Sequence, residues 1–207
     1  DINLYNTEKQ KEKGRWRREN AYKEGDFLLF YGGIIGYAQG LDIILNAAKR
    51  LKDYEKIKFV LLGNGPEKER LLTMKAELAL ENLNFYDAVP KSEMLEIIGD
   101  MDASIIPLRK LDLFKGAIPS KIFENSAMKK PIILGVEGEA KELFIEQGGC
   151  GLAFEPENVE ELCEKILTLY NNPVLVSTLG ENGLRYVSEN FNRDEIAKEF
   201  YDKLQQI

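Results

Sequence analysis

From residue 27 to residue 170 the chain alternates short, almost unbroken apolar runs with amphipathic stretches, and no other feature restricts its fold as strongly. The runs at 27–33, 57–63, 83–86, 103–108, 131–134 and 151–154 are the strand candidates. Helical spacing of apolar residues marks 39–53, 66–80, 91–99, a short stretch around Glu124, 139–147 and 159–170. Strands that are apolar throughout, rather than at every second residue, are buried on both faces, and the intervening helices supply the cover. The pattern predicts an α/β fold, a doubly wound parallel sheet of about six strands with helices on both faces. Ligands of such sheets bind beyond the carboxyl ends of the strands.

The regular core spans 26–171. A linker and helix candidate at 1–25 precedes it, and C-terminal helices at 172–207 follow, all in one domain. Residues 8–24 set Lys9, Lys11, Lys13, Arg15, Arg17 and Arg18 around Trp16, interleaved with Glu8, Glu12 and Glu19. A solvated helix is the leading reading there, and contact with an anionic membrane the lesser one. Residues 192–206 read as a helix, with Asn192 and Glu195 as a capping-box-like pair and Phe191 with Ile196 as a hydrophobic staple.

Composition excludes several chemistries. A length of 207 residues allows one sizeable core. A net charge of -7 disfavours nucleic acid as a partner. No apolar run approaches the ~20 residues of a membrane helix. The chain opens on Asp1 with no signal-peptide pattern, as a piece of a longer protein would. Histidine is absent, which removes the commonest general base and metal ligand. Cys150 and Cys163 have no metal-ligand spacing and read as buried free thiols of a cytoplasmic protein. No metal site is expected.

The segment 118–133 is the most informative locally. Pro119 and Ser120 punctuate a helix start, and Pro131 cannot continue the helix. At about 100° per residue Ile122, Phe123, Ser126 and Ala127 share one face, while Lys121, Glu124 and Asn125 share the other. Lys121 and Glu124 suit a ligand that has an anionic part beside a hydroxyl-bearing part, such as a diphosphate next to a ribose, near the N–H groups of a helix start. A solvated i,i+3 ion pair explains the same two residues equally well. Two glycine loops, Gly32-Gly33-Ile-Ile-Gly36 and Gly63-Asn-Gly65, end the first two strands at the same edge. Their spacing fits neither the dinucleotide fingerprint nor a P-loop, and a plain strand-to-helix turn accounts for the second as well as a binding role does.

Five blocks in order add a resemblance: Phe30-Tyr-Gly-Gly with Gln39-Gly-Leu, Val60-Leu-Leu-Gly-Asn-Gly-Pro-Glu67, Asn84-Phe-Tyr-Asp-Ala-Val89, Pro119-Ser-Lys-Ile-Phe-Glu-Asn-Ser-Ala-Met-Lys-Lys-Pro-Ile132 and Gly149-Cys-Gly-Leu-Ala-Phe-Glu-Pro156. With these the chain resembles the C-terminal, donor-binding, Rossmann-like half of a GT-B glycosyltransferase of the retaining family 4 (group 1). It is most similar to the subgroup that builds O-antigen and capsule units from UDP-linked amino sugars. The resemblance implies that Glu124 hydrogen-bonds the ribose hydroxyls of a nucleoside-diphosphate sugar. A partner glutamate would fall at Gly116, and an Arg and a Lys that touch the diphosphate would fall at Gly33 and Gln39, so all three are missing.

The diphosphate charge must then be met by Lys121 first, by the helix start at Ser120, and by Arg109 or Lys115. Backbone N–H groups of Gly116, Ala117 and Ile118 are candidates to hold sugar or phosphate oxygens. Gly33 and Gly63, in the loops that end the first two strands, are further candidates, and base contacts are expected from backbone at 87–90, Val89 included. The resemblance further implies metal-independent, retaining transfer without a cofactor. The acceptor, of polysaccharide or lipid-linked type, would be held by an N-terminal lobe that this chain lacks, and peripheral membrane contact would come through the full-length enzyme. No residue is assigned as catalytic, and the piece alone should bind nucleotide without transferring sugar. The alternatives are a non-catalytic nucleotide-binding module and, less favoured by the glycine spacing, a dinucleotide-binding oxidoreductase domain.

Overall fold

A computed structural model of the chain describes residues 14–205. Six parallel strands form one sheet, β1 Phe27–Gly32, β2 Ile57–Leu62, β3 Leu83–Tyr86, β4 Ala103–Pro107, β5 Ile132–Gly135 and β6 Gly151–Ala153. Their order across the sheet is β3-β2-β1-β4-β5-β6. The chain thus starts in the middle, winds out to one edge, returns and winds out to the other. Between β1 and β4 the direction of winding reverses, and loops leaving the two strands splay apart to open a crevice.

Side-chain alternation along β1 shows why both faces need cover. Leu29 and Tyr31 enter one buried cluster, together with Leu41, with Ile44 of α2 Asp42–Arg50 and with Leu162 and Ile166 of α7 Val159–Tyr170. Leu28 and Phe30 enter another, together with Ile97 and Ile98 of α4 Lys91–Gly99. α3 Lys68–Glu77 adds Leu71 to the first cluster. A third cluster gathers Ile122 of α5 Lys121–Ala127 with Ala140 of α6 Glu139–Lys141 and Phe144 of the π-helical turn Glu142–Gln147 that continues α6. Every strand residue from Leu28 to Tyr31 is at most 1% exposed, as unbroken apolar runs predict.

Boundaries differ where glycine intervenes. The helix expected from residue 39 starts only at Asp42. Tyr37–Gln39 forms a 3-10 turn, closed by Gly40 in the left-handed region at φ 56. α8 Pro173–Asn190 is a long helix, started by Pro173 and by the Asn172 side chain, which accepts from the Leu175 N–H at 3.0 Å. α8 lies on α5 through two glycines. A Cβ on Gly180 would stand 2.2 Å from the Lys129 carbonyl oxygen, and one on Gly183 would stand 3.3 Å from Ser126 Cβ. This crossing fixes the height of α5 over the sheet.

At the amino side, residues 8–13 of the expected mixed-charge helix lie outside the described residues. The described part is α1 Arg15–Glu19, and it is a tether rather than a solvated helix. Trp16 stacks on Tyr22 at 5.6 Å and meets Tyr86 edge-on at 5.1 Å. The Arg17 guanidinium donates to the Asp26 carbonyl at 2.9 Å, to Asp102 at 2.6 Å and to the Asp100 carbonyl. Those groups hold its charge at the amino edge of the sheet. After α8, the helix expected from residue 192 is α9 Arg193–Leu204. The proposed staple is not the dominant contact there, because Phe191 joins the rings of Phe123, Phe144 and Tyr186 while Ile196 stays half exposed. Both cysteines are free and buried, with burial pushing the Cys150 thiol up to about 11 and raising Cys163 as well. Among the described residues no helix is long and apolar enough to cross a membrane.

Gly180→Val should lower the stability of the chain by about 1–3 kcal/mol, the usual cost of forcing extra atoms into a packed contact. Urea unfolding midpoints of variant and parent check this, and equal midpoints would show that the α5–α8 crossing tolerates separation.

Candidate functional site

A cavity of about 450 Å³ opens at the reversal between β1 and β4. Its back wall is the turn after β1, Gly32-Gly33-Ile34, and its opposite wall is Pro107 and Leu108 at the end of β4. Ser120, Lys121 and Glu124 line it from the start of α5, with Ala117 and Ile118 from the loop before. Phe30, Met94, Ile98 and Ile106 make an apolar floor between the sheet and α4.

Lys121 turns inward. Its ammonium lies 4.1 Å from the centroid of the Tyr31 ring and donates to the Tyr31 hydroxyl at 3.1 Å. Burial pulls its pKa down to about 8, and the nearby Glu124 carboxylate only partly counters this. The surface ion-pair reading does not describe this residue, because its ammonium is directed to the Tyr31 ring and hydroxyl rather than to solvent. Glu124 also lines the cavity, with its side chain 31% exposed and the Lys91 ammonium 3.8 Å away. Asn125, expected on the same outward face, is buried at 2% and donates to the Lys121 carbonyl at 2.8 Å. The helix has no true solvent side, because the sheet, α8 and the cavity walls enclose it.

The other sequence candidates divide. Gly33, Ser120, Ala117 and Ile118 line the cavity with Lys121 and Glu124, whereas Gly63, Val89, Gly116 and Arg109 do not. Gly63 acts one layer behind, since a Cβ there would stand 1.8 Å from the Gly33 carbonyl oxygen, so only glycine lets the two loops touch. Val89 packs against the cluster of Phe30 and Met94. A Cβ built on Gly116 meets nothing within 4 Å, so the loop there faces open space.

Arg109 is taken by structure. It donates to the Tyr37 carbonyl at 2.9 Å, pairs with Asp42 at 3.2 Å and Glu157 at 3.5 Å, and lies 4.2 Å over the Tyr37 ring. Arg70 also bonds Asp42, and the two guanidinium groups hold the Asp42 carboxyl below its ordinary value despite its partial burial. Arg109 thereby braces the 3-10 turn that brings Gln39 to the cavity. Lys115 pairs with Asp112 at 2.8 Å on the exposed loop. Among the described residues no three His, Cys, Asp or Glu side chains gather as metal ligands would.

Sequence reasoning missed Tyr31 and the apolar floor. Tyr31 sits in a strand at a position whose parity with Leu29 signals core, and it acts on the cavity through Lys121, whose ammonium meets its hydroxyl and its ring face.

The site geometry now meets independent similarities. The family profile described as glycosyl transferases group 1 matches residues 12–186. The uncharacterized glycosyltransferase MJ1178 of Methanocaldococcus jannaschii is 30% identical over 171 residues, which cover 82% of this chain and 46% of that protein. The putative colanic acid biosynthesis glycosyl transferase WcaI of Escherichia coli is 27% identical, over 86% of this chain and 42% of its own. The chain thus spans about half the length of these relatives. Among solved structures, Anabaena Alr3699/HepE in complex with UDP-glucose has the same fold at 18% identity and a TM-score of 0.83, over 100% of this chain and 56% of that one. The C-terminal domain of the glycosyl transferase group 1 family protein LpcC from Francisella tularensis matches at 17% identity and a TM-score of 0.73, over 93% of this chain and 98% of that one. The chain belongs to the glycosyl transferases group 1 family.

Proposed function

We propose that this chain is the donor-binding half of a glycosyltransferase, and that its cavity holds a nucleoside-diphosphate sugar, UDP-linked, for metal-independent, retaining transfer to a polysaccharide or lipid-linked acceptor. The observation that carries this reading is the pairing of a desolvated ammonium, Lys121, with a half-buried carboxylate, Glu124, on one wall of a cavity at the strand reversal. An anion alone would be repelled by Glu124. A ligand with hydroxyls beside its phosphates uses both groups.

In this reading Glu124 accepts from the ribose hydroxyls, and the apolar floor at Phe30, Met94 and Ile98 receives the flat base. When the bond from the sugar to the diphosphate breaks, negative charge grows on the departing phosphate oxygens. A preorganised ammonium in a partly dry site stabilises that charge far better than one in water. Lys121 supplies the positive charge that a metal would otherwise bring. Backbone N–H groups near Ala117 and Ile118 complete the cradle.

An acceptor-binding half, with any contact at the cytoplasmic membrane face, lies in the remainder of the protein. Ile34 and Leu113, 68% and 82% exposed beside residues that line the cavity, support a covering partner there. Gly116 gives specific ground for a second reading, a module that binds donor without transferring sugar, because the resemblance places a glutamate at that position. Release of sugar from UDP-sugar by the full-length protein separates the two.

Calorimetric titration of the chain with UDP, UDP-sugar, GDP, ADP and NAD tests the main reading, and a preference for NAD would overturn it. Glu124→Gln should weaken UDP binding by about 1–3 kcal/mol, the range for losing a charged hydrogen-bond partner. Lys121→Ala should weaken UDP more than uridine; equal losses would remove Lys121 from the phosphates. The pH dependence has a definite sign. Bound diphosphate favours protonated Lys121, so the complex holds more protons than the free chain, and UDP affinity should fall as pH rises through about 8. Phosphate groups, with a second ionisation near about 6, are already fully charged there. Lys121→Ala should flatten that decline.

A further inference from the structure

We propose that Tyr31 is the positioning residue that presents the Lys121 ammonium to the diphosphate, an inference that rests on the donor-binding reading above. Tyr31 belongs to the middle strand and is 1% exposed, so its hydroxyl must find partners inside the protein. It donates its proton to the Ile34 carbonyl at 2.5 Å. With the proton so committed, an oxygen lone pair is left for the Lys121 ammonium, 3.1 Å away. The ring face adds a second attraction to the same ammonium, 4.1 Å from the centroid.

These two contacts place the charge at a particular spot. Lys121 Nζ lies 3.2 Å from where a Cβ on Gly33 would stand. That is the position from which the resemblance would have an arginine side chain leave the β1 turn. Here Gly33 leaves the space vacant and α5 fills it with a cation from the other side of the crevice. A side chain rooted at 33 would be held by its own backbone, whereas a long lysine arriving from α5 has no such anchor, and Tyr31 provides it. The charged groups around this ammonium are Glu124 on the same helix and, beyond it, Lys91 at the start of α4, 3.8 Å from Glu124. Tyr31 is the contact from the sheet. Through Ile34 the same hydroxyl also ties the β1 turn to α5, so the two walls of the cavity meet at one oxygen.

Tyr31→Phe separates the roles, because it keeps the ring and removes the lone pair. In the nucleotide-free chain, 15N NMR of the lysine side chains, with the Lys121 signal assigned by its loss in Lys121→Ala, gives the Lys121 titration midpoint. Tyr31→Phe should lower that midpoint by about half a unit or more, since an acceptor favouring the charged form is gone. UDP affinity should fall about threefold to tenfold in Tyr31→Phe, and uridine affinity by less than about twofold. Tyr31→Leu, which removes the ring face too, should lower UDP affinity further. An unmoved midpoint, or equal weakening of UDP and uridine, overturns the proposal. A parent chain that binds neither ligand overturns the donor reading and the role of Tyr31 within it, while the midpoint still reports whether Tyr31 holds the ammonium.

Discussion

Lys121 carries a positive charge into a partly desolvated cavity wall, and much of the surrounding structure bears on that cost. A desolvated ammonium is tolerated when fixed dipoles and a π face replace its hydration. Tyr31 supplies both from the central strand, and Glu124 adds an attraction from the next turn of the same helix. α5 must in turn stay at one height and rotation, or the ammonium leaves that spot. α8 fixes the height through Gly180 and Gly183, and the Asn125 amide closes on the Lys121 carbonyl at the first turn. The charge in the cavity is therefore a property of three chain segments far apart in sequence.

The strand order explains why those segments converge. In a doubly wound sheet the loops after the two central strands leave in opposite directions, and the gap between them is a consequence of connectivity alone. β1 and β4 pair over only two positions, Leu29 with Ala103 and Phe30 with Ser104, so their carboxyl ends diverge early. Gly32 and Gly33 on one side and Pro107 and Leu108 on the other then have room for a ligand between them. Membership of the glycosyl transferases group 1 family fits a cavity in this position; under the proposed function, the departures at residues 33, 39 and 116 would change which groups meet a diphosphate rather than where it lies.

Much of this was legible in the chain itself. Strands buried on both faces have no polar alternation to obscure them, so all six were visible, with ends shifted by a residue or so. Lys121 and Glu124 stood out as one charged pair at a helix start, which a solvated ion pair explained as well as a ligand did, and the fold puts both in the cavity wall. Other features depend on partners that no local pattern reveals. Arg109 looked as available for phosphate as any loop cation, yet Asp42, Glu157 and the Tyr37 carbonyl claim it from three other elements. Asn125 looked solvent-facing because a helical wheel assumes an outside, whereas here it is buried in the cavity wall and bonded to the Lys121 carbonyl. Tyr31 was concealed by its own strand, where an aromatic residue in an apolar run signals packing and nothing more.

The contact between Gly63 and the Gly33 carbonyl has one more implication. Gly33 lines the cavity, and Gly63 stands directly behind its carbonyl. Bulk introduced at Gly63 would push the Gly33 peptide forward and narrow the chamber from the rear, with the Lys121 and Glu124 side chains unchanged. The room in the cavity can then be reduced from a residue that does not line it.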